Sequence, residues 1–433
     1  MKITLIRPNL GDYRSSDAMP PLAMGILAAR AAGHEVVFYD EKAEAVPVGD
    51  SPDLVAMSVE TYTARRAYAL ADVYRDRGVP VVMGGYHPTF LPDEALQHAD
   101  AVVIGDSEGA WERLLADLEA GRLQDKYVGG NDAPLTDYRI DRSIYKGKNY
   151  APVELVQWGR GCRFSCDFCS IHSFYGTSLR ARPLDGLIAE IESLPAGRLL
   201  FFVDDNLFGR KSDLLALLDA MTPLKRRWSC QISIDVARDE ALLDRMAKAG
   251  CSFVLIGFES LNPESLKQMH KAWNNVSGSY GRVVRALHAR NIGIYGTFVF
   301  GYDADTKESI ERTVDFALES RLEIANFNPL TPTPGSALYD RLASEQRLLS
   351  PKWWSDPNYR YGDAIFEPRG MHARELTEGV FEARRRFYSW RAIGRRVLGA
   401  ETSFSPFRAG LTTVANVISR REIYKKQYRL LGM

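Results

Sequence analysis

The sequence predicts two α/β units in series followed by a helical region: a doubly wound parallel sheet, then six β/α units that make a barrel or most of one. Three observations carry the prediction. Apolar, strand-like runs alternate with helical stretches over residues 1–130, the same alternation resumes over 151–345, and from 346 to 433 the pattern turns aromatic, basic and helical. At 433 residues the chain exceeds what one hydrophobic core usually fills, so several domains are expected.

The first unit opens with "KITLIRP", an apolar run stopped at Pro8. "PLAMGILAARAAG" follows at helical spacing with a glycine stop, and "HEVVFYD" is the second strand. "DLVAMSVE", "VPVVMGG" and "ADAVVIGD" continue the series, separated by "TARRAYALADVYRDRG" and "FLPDEALQHA". Strands joined through helices give a parallel sheet covered on both faces, a Rossmann-like arrangement whose ligands sit beyond the carboxyl ends of the strands. The loops at those ends are "RPNLGDY", "SVETYT", "GGYHPTF" and "GDSEGAW". Gly84, Gly85 and Gly105 either admit close approach of a ligand or form tight strand-to-helix turns. Neither GxGxxG nor GxxxxGK[ST] occurs there, so nothing signals a dinucleotide or a nucleoside triphosphate.

Residues 131–150, "NDAPLTDYRIDRSIYKGKNY", are polar and aperiodic and read as a linker. Six strands are then expected at 153–158, 199–203, 229–234, 253–258, 294–300 and 324–328. Helical stretches such as "LDGLIAEIESL", "KSDLLALLDAM", "DEALLDRMAKAG" and "TKESIERTVDFALES" lie between them. Such a TIM-like series works at the carboxyl ends of its strands.

"GRGCRFSCDFCS" falls just after the first of these strands, on that working face, and holds Cys162, Cys166 and Cys169. Three thiolates at CxxxCxxC spacing bind soft metals. A structural zinc site usually takes four ligands, and His172 would supply the fourth; a four-iron cluster on three cysteines instead leaves one iron open to substrate or cofactor. The stretch resembles the signature of the radical S-adenosylmethionine (SAM) superfamily, CxxxCxΦC with Φ aromatic, here Phe168. That resemblance implies a [4Fe-4S] cluster, SAM as its ligand, and an enzyme that generates a 5′-deoxyadenosyl radical.

It continues along the barrel. "FFVDDNLFG" is similar to the family's second-strand end, where Asp204 or Asp205 would receive the SAM ammonium. "CQISIDVA" places Gln231 and Ser233 toward SAM, "LIGFES" places Glu259 at the ribose or methionine part, and "YGTFVFGYDADTKESI" brings the backbone of Gly301 to adenine. Asp205 and Asp303 are equally candidates for helix N-caps. Cys230 and Cys251 read as buried, apolar-like residues, and two are too few for a further four-cysteine cluster.

"PPLAMGILAARAAGHEVVFYD", "MGGYHPTFLPDEAL" and "ADAVVIGDSEGAW" resemble the superfamily's cobalamin-binding subgroup. Cobalamin would then contact Ser58, Thr61, Gly84, Gly85, Gly105 and Glu108, with His87 in the same loop as either a contact or a turn histidine. The DxHxxG sequence that supplies a cobalt ligand elsewhere is absent from "RPNLGDYRSSD", so either cobalamin binds without a lower histidine or the domain keeps only the fold. No cysteine precedes Cys162, which excludes methylthiotransferases. The resemblance implies cobalamin-dependent C-methylation of an unactivated carbon in a biosynthetic intermediate; radical cyclisation, oxidation or rearrangement without methyl transfer is the alternative.

Lysine plus arginine and aspartate plus glutamate both total 55, so net charge selects no partner. From 371 to 433, however, thirteen Lys or Arg stand against five Glu, in amphipathic runs such as "FEARRRFYSWRAIGRRVL". These are a solvated face over a packed stripe, or a surface for an anionic, carrier-bound or lipid-like substrate or a membrane. No nucleic-acid fold accompanies the charge. The expected partners are a small-molecule substrate and an external electron donor of the flavodoxin or ferredoxin type. "MKITLIRPNLGDY" is too short an apolar run for a secretory signal, so a cytoplasmic location is expected.

Overall fold

The computed structural model describes all residues except 132–133, 208, 210, 275–278, 399–404 and 433. The N-terminal sheet contains β1 (Lys2–Arg7), β2 (Glu35–Asp40), β3 (Leu54–Ser58), β4 (Val81–Gly84), β5 (Ala101–Ile104) and β6 (Lys126–Val128). Their order is β2-β1-β3-β4-β5-β6, all parallel. Strands such as Leu54–Ser58 are buried on both faces, as continuous apolar runs require. One face packs Val55, Met57, Tyr68 and Tyr74, and the other packs Leu5, Met24, Trp111 and Leu114. The short edge strand β6 escaped the periodicity because "KYV" is only three residues long.

The second unit contains β7 (Val153–Val156), the two-residue strands β8 (Gly159–Arg160) and β9 (Arg180–Ala181), then β10 (Leu199–Phe202), β11 (Trp228–Ile232), β12 (Cys251–Glu259), β13 (Gly293–Phe300) and β14 (Ile324–Pro329). The parallel sheet runs β14-β13-β12-β11-β10-β7, while β8 and β9 form a separate antiparallel pair. Its outward side chains, among them Phe202, Trp228, Ile256, Phe298 and Phe327, enter one large core under the surrounding helices. Cys230 and Cys251 lie in that core, as expected.

An open sheet leaves the backbone of its last strand unpaired. Here the helix Ala373–Phe387 and the residue after it cover β14. The Arg384 guanidinium donates to the Phe327 carbonyl at 2.7 Å, and the Tyr388 hydroxyl donates to the Ala325 carbonyl at 2.9 Å. At the start of β14, buried Glu323 pairs with Arg408 of the helix Pro406–Lys426, and Asn416 of that helix donates to the Glu323 carbonyl at 2.8 Å. The same region also reaches the first unit: Trp353, Trp354, Ile365 and Leu431 pack with Val55 and Met57. Part of the C-terminal region therefore belongs to the N-terminal core, joining both units.

Candidate functional site

The cysteine loop is shaped by its neighbours. Gly161 adopts φ +95°, and a Cβ there would lie 1.9 Å from the Ser178 carbonyl oxygen, so only glycine can bring β8 this close to the chain entering β9. Its N–H donates to Asp205 at 2.8 Å. Buried Asp167 accepts from the Tyr302 hydroxyl at 2.5 Å, tying the loop to the end of β13, and Phe164 stacks on Trp273 at 4.0 Å. Asp167, Tyr302 and Trp273 were not singled out from the sequence.

Cys162, Cys166 and Cys169 line one cavity of about 330 Å³ with Phe164, Phe168, Asp204, Asp205, Gln231, Ser233, Glu259 and Lys271. Burial pushes the Cys166 thiol up to about 12, against the pull of the Lys271 ammonium, and also raises that of Cys169. Asn206 approaches Cys162 Sγ at 3.9 Å. His172 is not directed to the thiols: its Nδ1 lies 3.1 Å from the Gly176 carbonyl oxygen. Among the described residues no group of three or more His, Cys, Asp or Glu is placed to hold a single metal ion. Three soft donors around a cavity, without a fourth and without convergence on one point, fit a multinuclear cluster better than a zinc ion.

The structure separates the remaining residues of this set. Asp204 is buried and accepts from the N–H groups of Trp158 and Gly159, clipping β10 to the chain after β7; burial lifts its carboxyl to about 7. Asp205 likewise accepts a backbone N–H and is not a helix cap. Asp303 pairs with Arg347 at 2.8 Å, while Thr306 caps the following helix. Gln231 faces the cavity and donates to the Asp205 carbonyl, and Ser233 lies 3.4 Å from Asn206. Gly301 does not line this cavity; its Cα faces Phe366 and Leu376.

Glu259, one of seven non-glycine residues with positive φ among the described residues, has φ +63° at a register shift where β12 pairs with β13. Strained backbone of this kind concentrates at functional sites. Its carboxylate accepts from Lys271 at 2.7 Å, with the two side chains 9% and 12% exposed. Burial alone would lower the Lys271 ammonium, yet the attraction of Glu259 leaves it above the ordinary lysine value. Lys271 sits in a loop beyond the recognised strand motif, where no sequence signal marked it.

A second cavity, of about 350 Å³, opens at the carboxyl ends of β3, β4 and β5. Its apolar part includes Leu22, Ile26, Val82, Val103 and Trp111, and its rim includes Ser58, Gly84, Gly85, Gly105 and Glu108. A Cβ on Gly85, at φ +101°, would come within 2.9 Å of the Val59 carbonyl oxygen, so this glycine serves the turn as well as the cavity. The apolar cradle with a polar rim suits one part of a large cofactor such as cobalamin, the remainder of which would lie outside this volume. Thr61 and His87 do not line it. His87 is fully buried, 2.9 Å from the Tyr68 hydroxyl and 3.4 Å from Glu94, beside Trp354. Among the described lining residues there is no histidine, so the residues present suit a cofactor without a protein imidazole ligand.

The two cavities meet at Asp205, which lines both. Around it Arg160 pairs with Asp106 at 3.0 Å and Glu108 at 2.7 Å, Arg180 pairs with Asp106 at 2.5 Å, and the Tyr175 hydroxyl donates to Asp106 at 2.9 Å. Asp106 and Glu108 belong to the first unit and the others to the second, so a largely buried charge cluster fixes one cavity against the other.

Comparison with known proteins shows the family and the fold. The family model of the radical SAM superfamily matches residues 156–317, and that of the B12 binding domain matches residues 17–115. The bacteriochlorophyllide d C-12(1)-methyltransferase of Chlorobaculum tepidum is 33% identical over 88% of this chain and 85% of its own length. The C-8(2)-methyltransferase of the same organism is 28% identical over 87% of each. In fold, the chain is similar to the radical SAM methyltransferase TsrM of Kitasatospora setae, solved with tryptophan and a SAM analogue, at TM-score 0.68 over 98% of both chains and 17% identity.

Proposed function

Because the chain belongs to the radical SAM superfamily, in its subgroup with an N-terminal B12-binding domain, we propose that it methylates an unactivated carbon of a small-molecule biosynthetic intermediate. The observation that carries this reading is the shared wall at Asp205, which lines both a three-thiol cavity and an apolar, glycine-rimmed cavity. When bound, a [4Fe-4S] cluster with SAM supplies a 5′-deoxyadenosyl radical, and cobalamin supplies the methyl group.

The protein's own residues hold, orient and shield. Cys162, Cys166 and Cys169 are the cluster ligands in this reading. Gln231, Ser233 and Glu259 contact SAM, and Lys271 offers its carboxylate a cation already held in place by Glu259. Asp204 keeps the strand ends in register instead of receiving the ammonium group, which leaves that role to Asp205 or to backbone carbonyls. Phe168 packs against the barrel core and lines the thiol cavity. Ser58, Gly84, Gly85, Gly105 and Glu108 form the cobalamin contacts, while Thr61 and His87 support the domain. The division at 1–130, 131–150, 151–345 and 346–433 accommodates these roles, with the last region bracing the other two.

An external one-electron donor and a reducing, cytoplasmic location accompany this chemistry. The reading is tested with SAM carrying a deuterated methyl group and bacteriochlorophyllide d, the pigment named for the 33% identical relative. Product bearing the labelled methyl supports it. 5′-Deoxyadenosine formed with ring closure or oxidation of a substrate and without label transfer assigns the chain to the non-methylating alternative.

A further inference from the structure

We propose that the outer face of the C-terminal helix pair is a docking surface for an anionic lipid bilayer. The helix Trp390–Leu398 exposes Trp390, Arg391, Arg395 and Leu398. The helix Pro406–Lys426 exposes Gly410, Val414, Val417, Arg421 and Tyr424, successive steps of four and three residues that form one stripe along its length. Its opposite stripe, Arg408, Thr412, Asn416 and Glu422, is buried against the protein. The Arg420 guanidinium lies 5.2 Å from the Trp390 ring and 5.1 Å from the Tyr424 ring, so the two exposed faces adjoin.

This is where the described surface concentrates large apolar groups. Of its eleven exposed large hydrophobic side chains, five lie on this helix pair, including Leu398 at 82%, Trp390 at 61% and Val414 at 57% exposure. The charge is one-sided: residues 384 to 421 contain nine arginines and a single acid, Glu401. Exposed Arg391, Arg395 and Arg421 make no hydrogen bond or ion pair with the described residues. Arginine beside tryptophan and tyrosine, around exposed aliphatic groups, matches the boundary between lipid headgroups and acyl chains.

A second copy of this chain would bring the same arginines face to face with no acid to neutralise them. A nucleic-acid backbone would leave Leu398, Val414 and Val417 without partners. Among the described residues no helix is long and apolar enough to cross a membrane, so contact would lie in the surface plane. Because the inner stripe holds Glu323 of the barrel and the N–H of Ser16 in the first unit, docking would set the orientation of both units toward the bilayer.

Flotation of the full chain with phosphatidylglycerol/phosphatidylcholine vesicles, and with phosphatidylcholine vesicles alone, tests this surface independently of the catalytic reading. At low salt the anionic vesicles should be preferred at least about tenfold, and half-molar salt should abolish the preference. R391Q/R395Q/R421Q should lower partition about a hundredfold, at roughly fivefold for each arginine. W390A/V414S/V417S should lower it about tenfold with unchanged iron content and circular dichroism. No binding to anionic vesicles, binding that the arginine variant leaves unchanged, or tighter retention by duplex DNA overturns the proposal. A dimer that W390A dissociates, with vesicles unbound, assigns the face to a second copy instead.

Discussion

Lys271→Met separates what the buried ion pair does for the fold from what it does for SAM. In the native chain the ammonium lies 2.7 Å from Glu259, and both side chains are nearly enclosed. Removing one member of a buried pair costs about 3–5 kcal/mol, because the other charge is left without compensation. The adjoining cavity of about 330 Å³ admits water to Glu259, which sets the expectation near the lower end, about 3 kcal/mol. In a chain of this size each kcal/mol moves the thermal midpoint by about 1 °C, so a fall of about 3 °C is expected. Adding Glu259→Gln removes the orphaned charge, and the double variant should recover about 2 kcal/mol of that loss, the coupling expected of contacting residues. SAM affinity should not recover: K271M should bind it about thirtyfold more weakly, the loss of one charge-assisted hydrogen bond, and the double variant, which also loses the Glu259 carboxylate, more weakly still. Thermal scanning of the four members of the cycle, with calorimetric titration of SAM, measures both. A double variant as unstable as K271M would refute the coupling, and native SAM affinity in either variant would remove Lys271 from the site.

Replacing Cys162, Cys166 or Cys169 singly by Ser should lower iron from about four to below about one per chain and abolish the charge-transfer absorption, read by metal analysis and visible spectroscopy. Asp204 gives a pH signature. Its folded pKa, lifted to about 7 by burial, exceeds the unfolded value, so the native state binds the extra proton and stability falls as pH rises from about 4 through 7. D204N should flatten that slope in midpoints measured from pH 5 to 8, and an unchanged slope would place the effect elsewhere. Gly85→Ala, forced to φ +101° against the Val59 carbonyl, should cost about 1–3 kcal/mol and reduce cobalamin retention. H87A should lower the thermal midpoint while leaving cobalt content intact, since His87 is buried on Tyr68 and Glu94; loss of cobalt with a stable fold would make it a ligand.

The positions of most strands along the chain were legible because both sheets are parallel and buried, so that "LVAMS" and "FVLIGFE" stand out as apolar runs between helical periods. The three thiols were legible because their spacing is local. What the sequence could not show were partners brought together from distant positions. Lys271 reaches Glu259 only because the chain folds back after the short helix Pro263–Gln268, and Arg160 finds Asp106 and Glu108 across the two units, more than fifty residues away. Asp204 and Asp205 were indistinguishable as adjacent carboxylates; backbone direction sends one to Trp158 and Gly159 and the other to the wall between the cavities. His87 looked available because a loop histidine usually is, and it was buried by Trp354, a contribution of the C-terminal region to the first core.

The most direct measurement is the metal content of anaerobically reconstituted protein together with its action on SAM under a low-potential reductant. The proposed chemistry predicts about four irons and one cobalt per chain, with 5′-deoxyadenosine released on reduction. Iron without retained cobalamin would leave the barrel chemistry and remove the methyl donor. Zinc in place of iron, with SAM left intact, would contradict the central claim.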